Sequence, residues 1–278
     1  MVLTEHQIKL GPVRTRYFAG GNPHGPTVVL IHDGGYGGDA LNTFGRLAER
    51  LTDKYYLVLP EMLGFGGTDK AVFFGENPYE PRLRHLAAFL DALDLRQAHF
   101  VGNSFGGGIV LRLSIRPETS WRMKSATSIS GTGGPFRTSE ALQDMAEYLP
   151  SIEAARRIDA WVLPPGAQDE EHAQARFESS MRPGQWESMM APTLRNPIKA
   201  EPARSWDFPA ALSDSVVPTM LVAGTLDRML EPGWEGQVAK HLGDVRVERL
   251  EAGHSPNISH PEETAKLLRD FVDYIDGR

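Results

Sequence analysis

Ser104 stands in Gly102-Asn103-Ser104-Phe105-Gly106, a G-x-S-x-G pattern, and a serine so placed is a candidate nucleophile. Its hydroxyl reacts poorly unless a neighbouring base takes the proton, so the fold must bring a histidine to it. Nine histidines compete. His254, in Ala252-Gly253-His254-Ser255, is the candidate base. Its nearest rival, His260, directly precedes Pro261-Glu262-Glu263, which reads as a helix start and gives His260 the plainer role of helix entry. The base needs an acid to hold its orientation. Asp227, in Ala223-Gly224-Thr225-Leu226-Asp227, supplies one and completes the chain order serine, acid, histidine.

These residues meet only if strands deliver them to one edge of a sheet. The apolar, β-branched run TVVLIH at 27–32 and KYYLVLP at 54–60 read as buried parallel strands, with helical spacing between them at 40–51. The alternation continues as a helix at 81–93, a strand at 98–102, a helix at 105–115 and a strand at 124–130. It resumes with a strand at 217–224, a helix at 233–241, a strand at 245–250 and an amphipathic helix at 261–275. This pattern predicts an α/β fold built on a mostly parallel, doubly wound sheet. From Gly131 to about Ser205 the strand rhythm stops, and helical segments rich in Met, Arg and Trp are divided by prolines. The expected division is a core at 1–133, an inserted helical cap at 134–205 and the second part of the core at 206–278. Ile8, Leu10, Val13 and Tyr17 around Gly11-Pro12 suggest a hairpin at the sheet edge.

On this reading Ser104, Asp227 and His254 each follow a strand at its carboxyl end, where open α/β sheets bind ligands. The glycines flanking Ser104 let strand and helix approach a strained turn that exposes the hydroxyl. The helix behind it aims backbone N–H groups at the reacting centre, and the Phe105 N–H is the natural first oxyanion donor. His32-Asp33-Gly34-Gly35-Tyr36-Gly37-Gly38 follows the first buried strand, and Gly34 is the candidate second donor. His32 reads as a side chain that holds this loop by hydrogen bonding.

A net charge of −7, mixed along the chain, argues against the clustered basic face that binds nucleic acid or anionic lipid. There is no apolar stretch of ~18 residues and no leader-like N-terminus, so the chain reads as cytoplasmic, without a membrane partner. With no cysteine it offers neither disulfide nor thiolate metal site. The expectation is a small-molecule substrate and no metal or organic cofactor. An acidic surface with open strand edges is compatible with a homodimer.

Taken together, these residues resemble the α/β-hydrolase family over nearly the whole chain. Within it, Met62-Leu63-Gly64-Phe65-Gly66-Gly67-Thr68-Asp69-Lys70 and Asn103 before the serine look like the hydrolases that cleave carbon-carbon bonds in meta-cleavage products of aromatic catabolism. That resemblance implies substrate contacts from Gly35, Asn42, Asn103 and Arg176, the last pairing its planar fork with a carboxylate or enolate. It further implies that a dienol ketonises in the site and that Ser104 attacks the ketone. The sequence departs from the subfamily at Asp33 and Tyr36, where Gly and Pro are usual, and at Ser255, where tryptophan usually follows the histidine. A carboxylesterase or lactonase would use the same triad, and a small-ligand receptor could use the same fold without turnover.

Overall fold

The computed structural model describes residues 2–73, 77–132, 134–191 and 207–278. Strands β1 (Thr4–Leu10), β2 (Val13–Gly21), β3 (Thr27–Ile31), β4 (Tyr56–Pro60), β5 (Ala98–Asn103), β6 (Met123–Ile129), β7 (Thr219–Gly224) and β8 (Val245–Leu250) form one sheet in the order β1-β2-β4-β3-β5-β6-β7-β8. The β1–β2 hairpin and the β2–β4 pair are antiparallel, and every other pairing is parallel. Sequence neighbours are separated by helices because parallel strands need a crossover: α1 (Ala40–Glu49), α2 (Tyr79–Ala92), α3 (Phe105–Leu113) with the short α4 (Pro117–Ser120), and α9 (Trp234–Ala239). After β8 come a single turn, α10 (Pro256–Ser259), and the long α11 (Pro261–Asp276).

Strand periodicity distributes the core between two faces. On β3, Val28 and Leu30 face one side and pack with Leu57, Leu59, Phe44, Leu47 and Phe271. Val29 and Ile31 face the other and pack with Val58, Leu83, Phe89 and Ile109. Both faces are covered, which accounts for the continuous apolar runs of the central strands.

Between β6 and β7 lie α5 (Ser139–Ala146), α6 (Ile152–Val162), α7 (Glu170–Ser180) and α8 (Gln185–Met190). Ser151 and Asp169 cap α6 and α7 by accepting from the Ala154 and His172 N–H groups. Tyr148, Ile158, Trp161 and Val162 of this helical segment pack on Met229, in the loop after β7, and on Ile258 of α10, after β8. The segment therefore lies over the carboxyl ends of the strands. Residues 133 and 192–206, on which the expected boundaries of the cap fall, lie outside the described residues. Among the described residues, no helix is long and apolar enough to cross a membrane.

One core contact sets a pH response. His85 on α2 is buried, and its Nε2 lies 2.7 Å from the Thr15 hydroxyl on β2. Burial, reinforced by the neighbouring Arg82 cation, lowers its pKa to about 4. An unfolded chain takes up this proton below an ordinary histidine pKa of about 6.5, whereas the folded chain does so only near 4. Stability contributed by a neutral His85 is therefore lost as pH falls from about 6.5 toward 4, by a few kcal/mol in all. The His85→Gln variant is expected to unfold over a lower pH range than wild type, followed by far-ultraviolet circular dichroism; coincident acid transitions would rule this out.

Candidate active site

Ser104 occupies the turn between β5 and α3 with φ 54° and ψ −117°, a left-handed conformation that a non-glycine residue holds at a cost of about 1–3 kcal/mol. The turn is closed by the Ser104 N–H, which donates to the Ile129 carbonyl of β6 at 2.8 Å. The glycines around it are required by contact. A Cβ on Gly102 would lie 2.2 Å from the Gly106 carbonyl oxygen, and one on Gly106 would lie 2.1 Å from the Ile31 oxygen. Both obstacles are backbone, so neither position admits a side chain without moving strand or helix.

The loops after β7 and β8 bring the other two residues to this turn. His254 Nε2 is 2.8 Å from Ser104 Oγ, and His254 Nδ1 is 2.8 Å from Asp227 Oδ2. The second Asp227 oxygen accepts the Met229 N–H at 2.8 Å, which fixes the carboxylate in its loop. All three side chains thus form one hydrogen-bonded chain at the carboxyl edge of the sheet. A hydroxyl, an imidazole and a carboxylate in this order can transfer a proton from the serine oxygen as it attacks a carbonyl. His260 sits elsewhere, at the entry of α11 beside the Ser259 hydroxyl.

Gly34, Gly35 and Phe105 line, with Ser104 and His254, a cavity of about 170 Å³ whose remaining wall combines the apolar side chains of Met145, Ile158, Val162, Met189 and Met229 with Asp33, Tyr36, Arg137 and Ser255. The backbone of Gly34 is so close to Phe105 that a Cβ there would lie 2.7 Å from the Phe105 Cβ. Phe105 is the first residue of α3, so its N–H has no partner within the helix. His32, fully buried, secures the loop: its Nδ1 lies 2.6 Å from the Asp33 carbonyl, and its Nε2 accepts the Met62 N–H at 2.9 Å.

Asp33 is held by its neighbours. Oδ1 accepts the Gly35 N–H at 2.7 Å, and Oδ2 accepts the Thr43 hydroxyl at 2.8 Å and faces Arg176 Nη2 at 3.4 Å. Burial pushes this carboxyl pKa up, but Arg176, the Gly35 N–H and the Thr43 hydroxyl outweigh it and hold the group below its ordinary value. It is a neutralised, loop-shaping carboxylate.

Three of the expected substrate contacts, Arg176, Asn42 and Asn103, are absent from the cavity lining. Arg176 is only 1% exposed, and its guanidinium is committed to Asp33, to the Tyr36 carbonyl at 3.0 Å and to Asp159 Oδ1 at 3.2 Å from Nε. Asp33 and Asp159 are themselves buried and need this cation. Asn42 Nδ2 donates to the Gly37 carbonyl at 3.0 Å and the Ala175 carbonyl at 3.3 Å, because the first turn of α1 faces α7. Asn103 is fully buried; it donates to the Ile129 and His254 carbonyls, both at 3.3 Å, and accepts from the Ser255 hydroxyl at 3.0 Å. It holds the His254 loop against the Ser104 turn, and Ser255, at the position where tryptophan is usual, completes that bond.

The family model for the alpha/beta hydrolase family matches residues 28–267. The chain belongs to this family. As an alpha/beta hydrolase it is 28% identical over 258 residues to 2-hydroxymuconate semialdehyde hydrolase of Pseudomonas sp. strain CF600, covering 90% of this chain and 88% of that protein. It is 29% identical to 2-hydroxy-6-oxo-2,4-heptadienoate hydrolase of Pseudomonas putida, over 91% and 89% of the two chains. Among solved structures, a meta-cleavage product hydrolase from Pseudomonas fluorescens IP01 superposes with a TM-score of 0.84 at 25% identity, covering 97% of each chain.

Sequence reasoning passed over the partners that bury Arg176. Thr43, Asp159 and His172, whose Nδ1 is 2.8 Å from Asp159 Oδ2, join α1, α6 and α7 of this alpha/beta hydrolase across long separations that leave no local pattern. Arg137, in the loop before α5, also lines the cavity and carried no motif.

Proposed function

We propose that this alpha/beta hydrolase cleaves the carbon-carbon bond next to the ketone of a 2-hydroxy-6-oxo-dienoate type product of aromatic ring fission. The observation that carries the reading is the Ser104–His254–Asp227 chain opening into a covered, largely apolar cavity, in a chain alike over nine-tenths of its length to hydrolases of such compounds. The dienol ketonises in the cavity. Ser104 Oγ then attacks the ketone carbon while His254 takes its proton, and Asp227 holds the imidazole. The oxyanion is held by the Gly34 and Phe105 N–H groups. The carbon-carbon bond breaks with its electron pair going to the dienoic fragment, which accepts a proton, and the acyl group stays on Ser104 until water, activated by His254, releases it as a carboxylic acid. The acylation and deacylation steps need no metal or organic cofactor.

Asn42, Asn103 and Arg176 act in this reading by positioning the oxyanion loop and the His254 loop, and Gly35 by forming the cavity floor. The helical segment acts as the cap over the site, with the core on either side of it. The reading carries with it a cytoplasmic enzyme without a membrane partner, and two open sheet edges compatible with a homodimer.

The test is turnover of a ring-fission dienoate beside a neutral aryl ester. The expected result is a kcat/KM for the dienoate well above that for the ester. Dienoate turnover no better than ester turnover would overturn the carbon-carbon assignment in favour of an esterase.

A further inference from the structure

The proposed substrate is a carboxylate, and Arg176, the cation expected to meet it, is buried between Asp33 and Asp159 and donates to the Tyr36 carbonyl. A carboxylate entering a largely apolar cavity without a counter-charge is strongly disfavoured. Arg137 lines the same cavity as Ser104 and His254. Among the described residues, no carboxylate lies within ion-pair distance of its guanidinium. Its backbone is anchored on both sides: the Thr138 N–H donates to the Met229 carbonyl at 2.9 Å and the Glu231 N–H to the Phe136 carbonyl at 2.8 Å, around a bridge between Arg137 and Leu230. The loop that carries Arg137 is thus docked on the loop that carries Asp227.

We propose that Arg137 is the residue that binds the substrate's carboxylate, so that the acidic end lies toward the loops after β6 and β7 and away from α7. This rests on the reading that the bound substrate is an acid. Arg137 selects carboxylate-bearing substrates over neutral ones of the same length, leaving the Ser104 chemistry unchanged.

The test compares para-nitrophenyl hydrogen glutarate with the neutral para-nitrophenyl valerate, which share chain length and leaving group, on wild type, Arg137→Gln and Arg137→Lys. Loss of a charge-assisted contact predicts that the ratio of kcat/KM values, acid over neutral, falls roughly 10- to 100-fold in Arg137→Gln, through KM, and recovers in part in Arg137→Lys. The thermal midpoint serves as the folding control and is expected to stay near that of wild type, and neutral-ester turnover is the reference against which the ratio is read. A ratio unchanged within twofold, or equal losses on both esters, would overturn the proposal. If wild type leaves a ring-fission dienoate intact, the carbon-carbon assignment falls, while the ester ratio still decides the role of Arg137.

Discussion

Ser104→Ala is expected to lower kcat on dienoate and ester alike by about 10⁴-fold or more, with the substrate still bound and the fold intact. The substitution removes one oxygen whose only recorded side-chain partner among the described residues is His254 Nε2. The strained backbone at Ser104 is imposed from outside the side chain, by the bond from its N–H to Ile129 and by the close approach of Gly102 and Gly106. Alanine therefore keeps the turn. Rapid-mixing absorbance measurements would show substrate binding without decay, and a thermal midpoint near that of wild type would separate chemistry from folding. Retained turnover would contradict a serine nucleophile.

Arg176→Met has the largest expected effect on stability. The guanidinium lies between two buried carboxylates, and removing it takes their shared cation from Asp33 and Asp159, leaving only the hydrogen bonds from Gly35 and Thr43 to the one and the His172 contact to the other. Breaking a buried pair in this way typically costs about 3–5 kcal/mol. Arg176 itself shows the balance: burial opposes its charge, yet Asp33 and Asp159 raise its pKa above the ordinary value. Urea denaturation should give a loss of this size, partly recovered in the Asp33→Asn, Arg176→Met double variant because one orphaned charge is then gone. Activity should fall on dienoate and neutral ester together, since Asp33 Oδ1 also holds the Gly35 N–H beneath the cavity. A selective loss on the dienoate with unchanged stability would instead return Arg176 to the substrate.

Much of the site was legible because its determinants are local. Ser104, Asp227 and His254 each follow a strand whose apolar run is plain in sequence, and parallel strands deliver their carboxyl ends to one edge. Gly102 and Gly106 announce a turn whose contacts need the absence of a side chain. Substrate contacts were less legible because motif position does not determine where a long side chain points. Arg176 turns inward because Asp33 and Asp159 are buried around it, and those partners are 143 and 17 residues away in the chain. The pairing of Asn103 with Ser255 likewise spans 152 residues. Arg137 carries no motif, and only the folded loops bring it to the cavity of Ser104.

Hydrolytic fission of a carbon-carbon bond by Ser104 puts an oxygen atom from water into one product. Its most direct measurement is turnover of a 2-hydroxy-6-oxo-dienoate in ¹⁸O-labelled water, with both products identified by mass spectrometry. The expected result is equal amounts of a dienoic acid and of a carboxylic acid derived from the ketone, the latter carrying oxygen from water. Recovery of intact dienoate beside an active esterase, or fission products without label in the new carboxyl group, would contradict it.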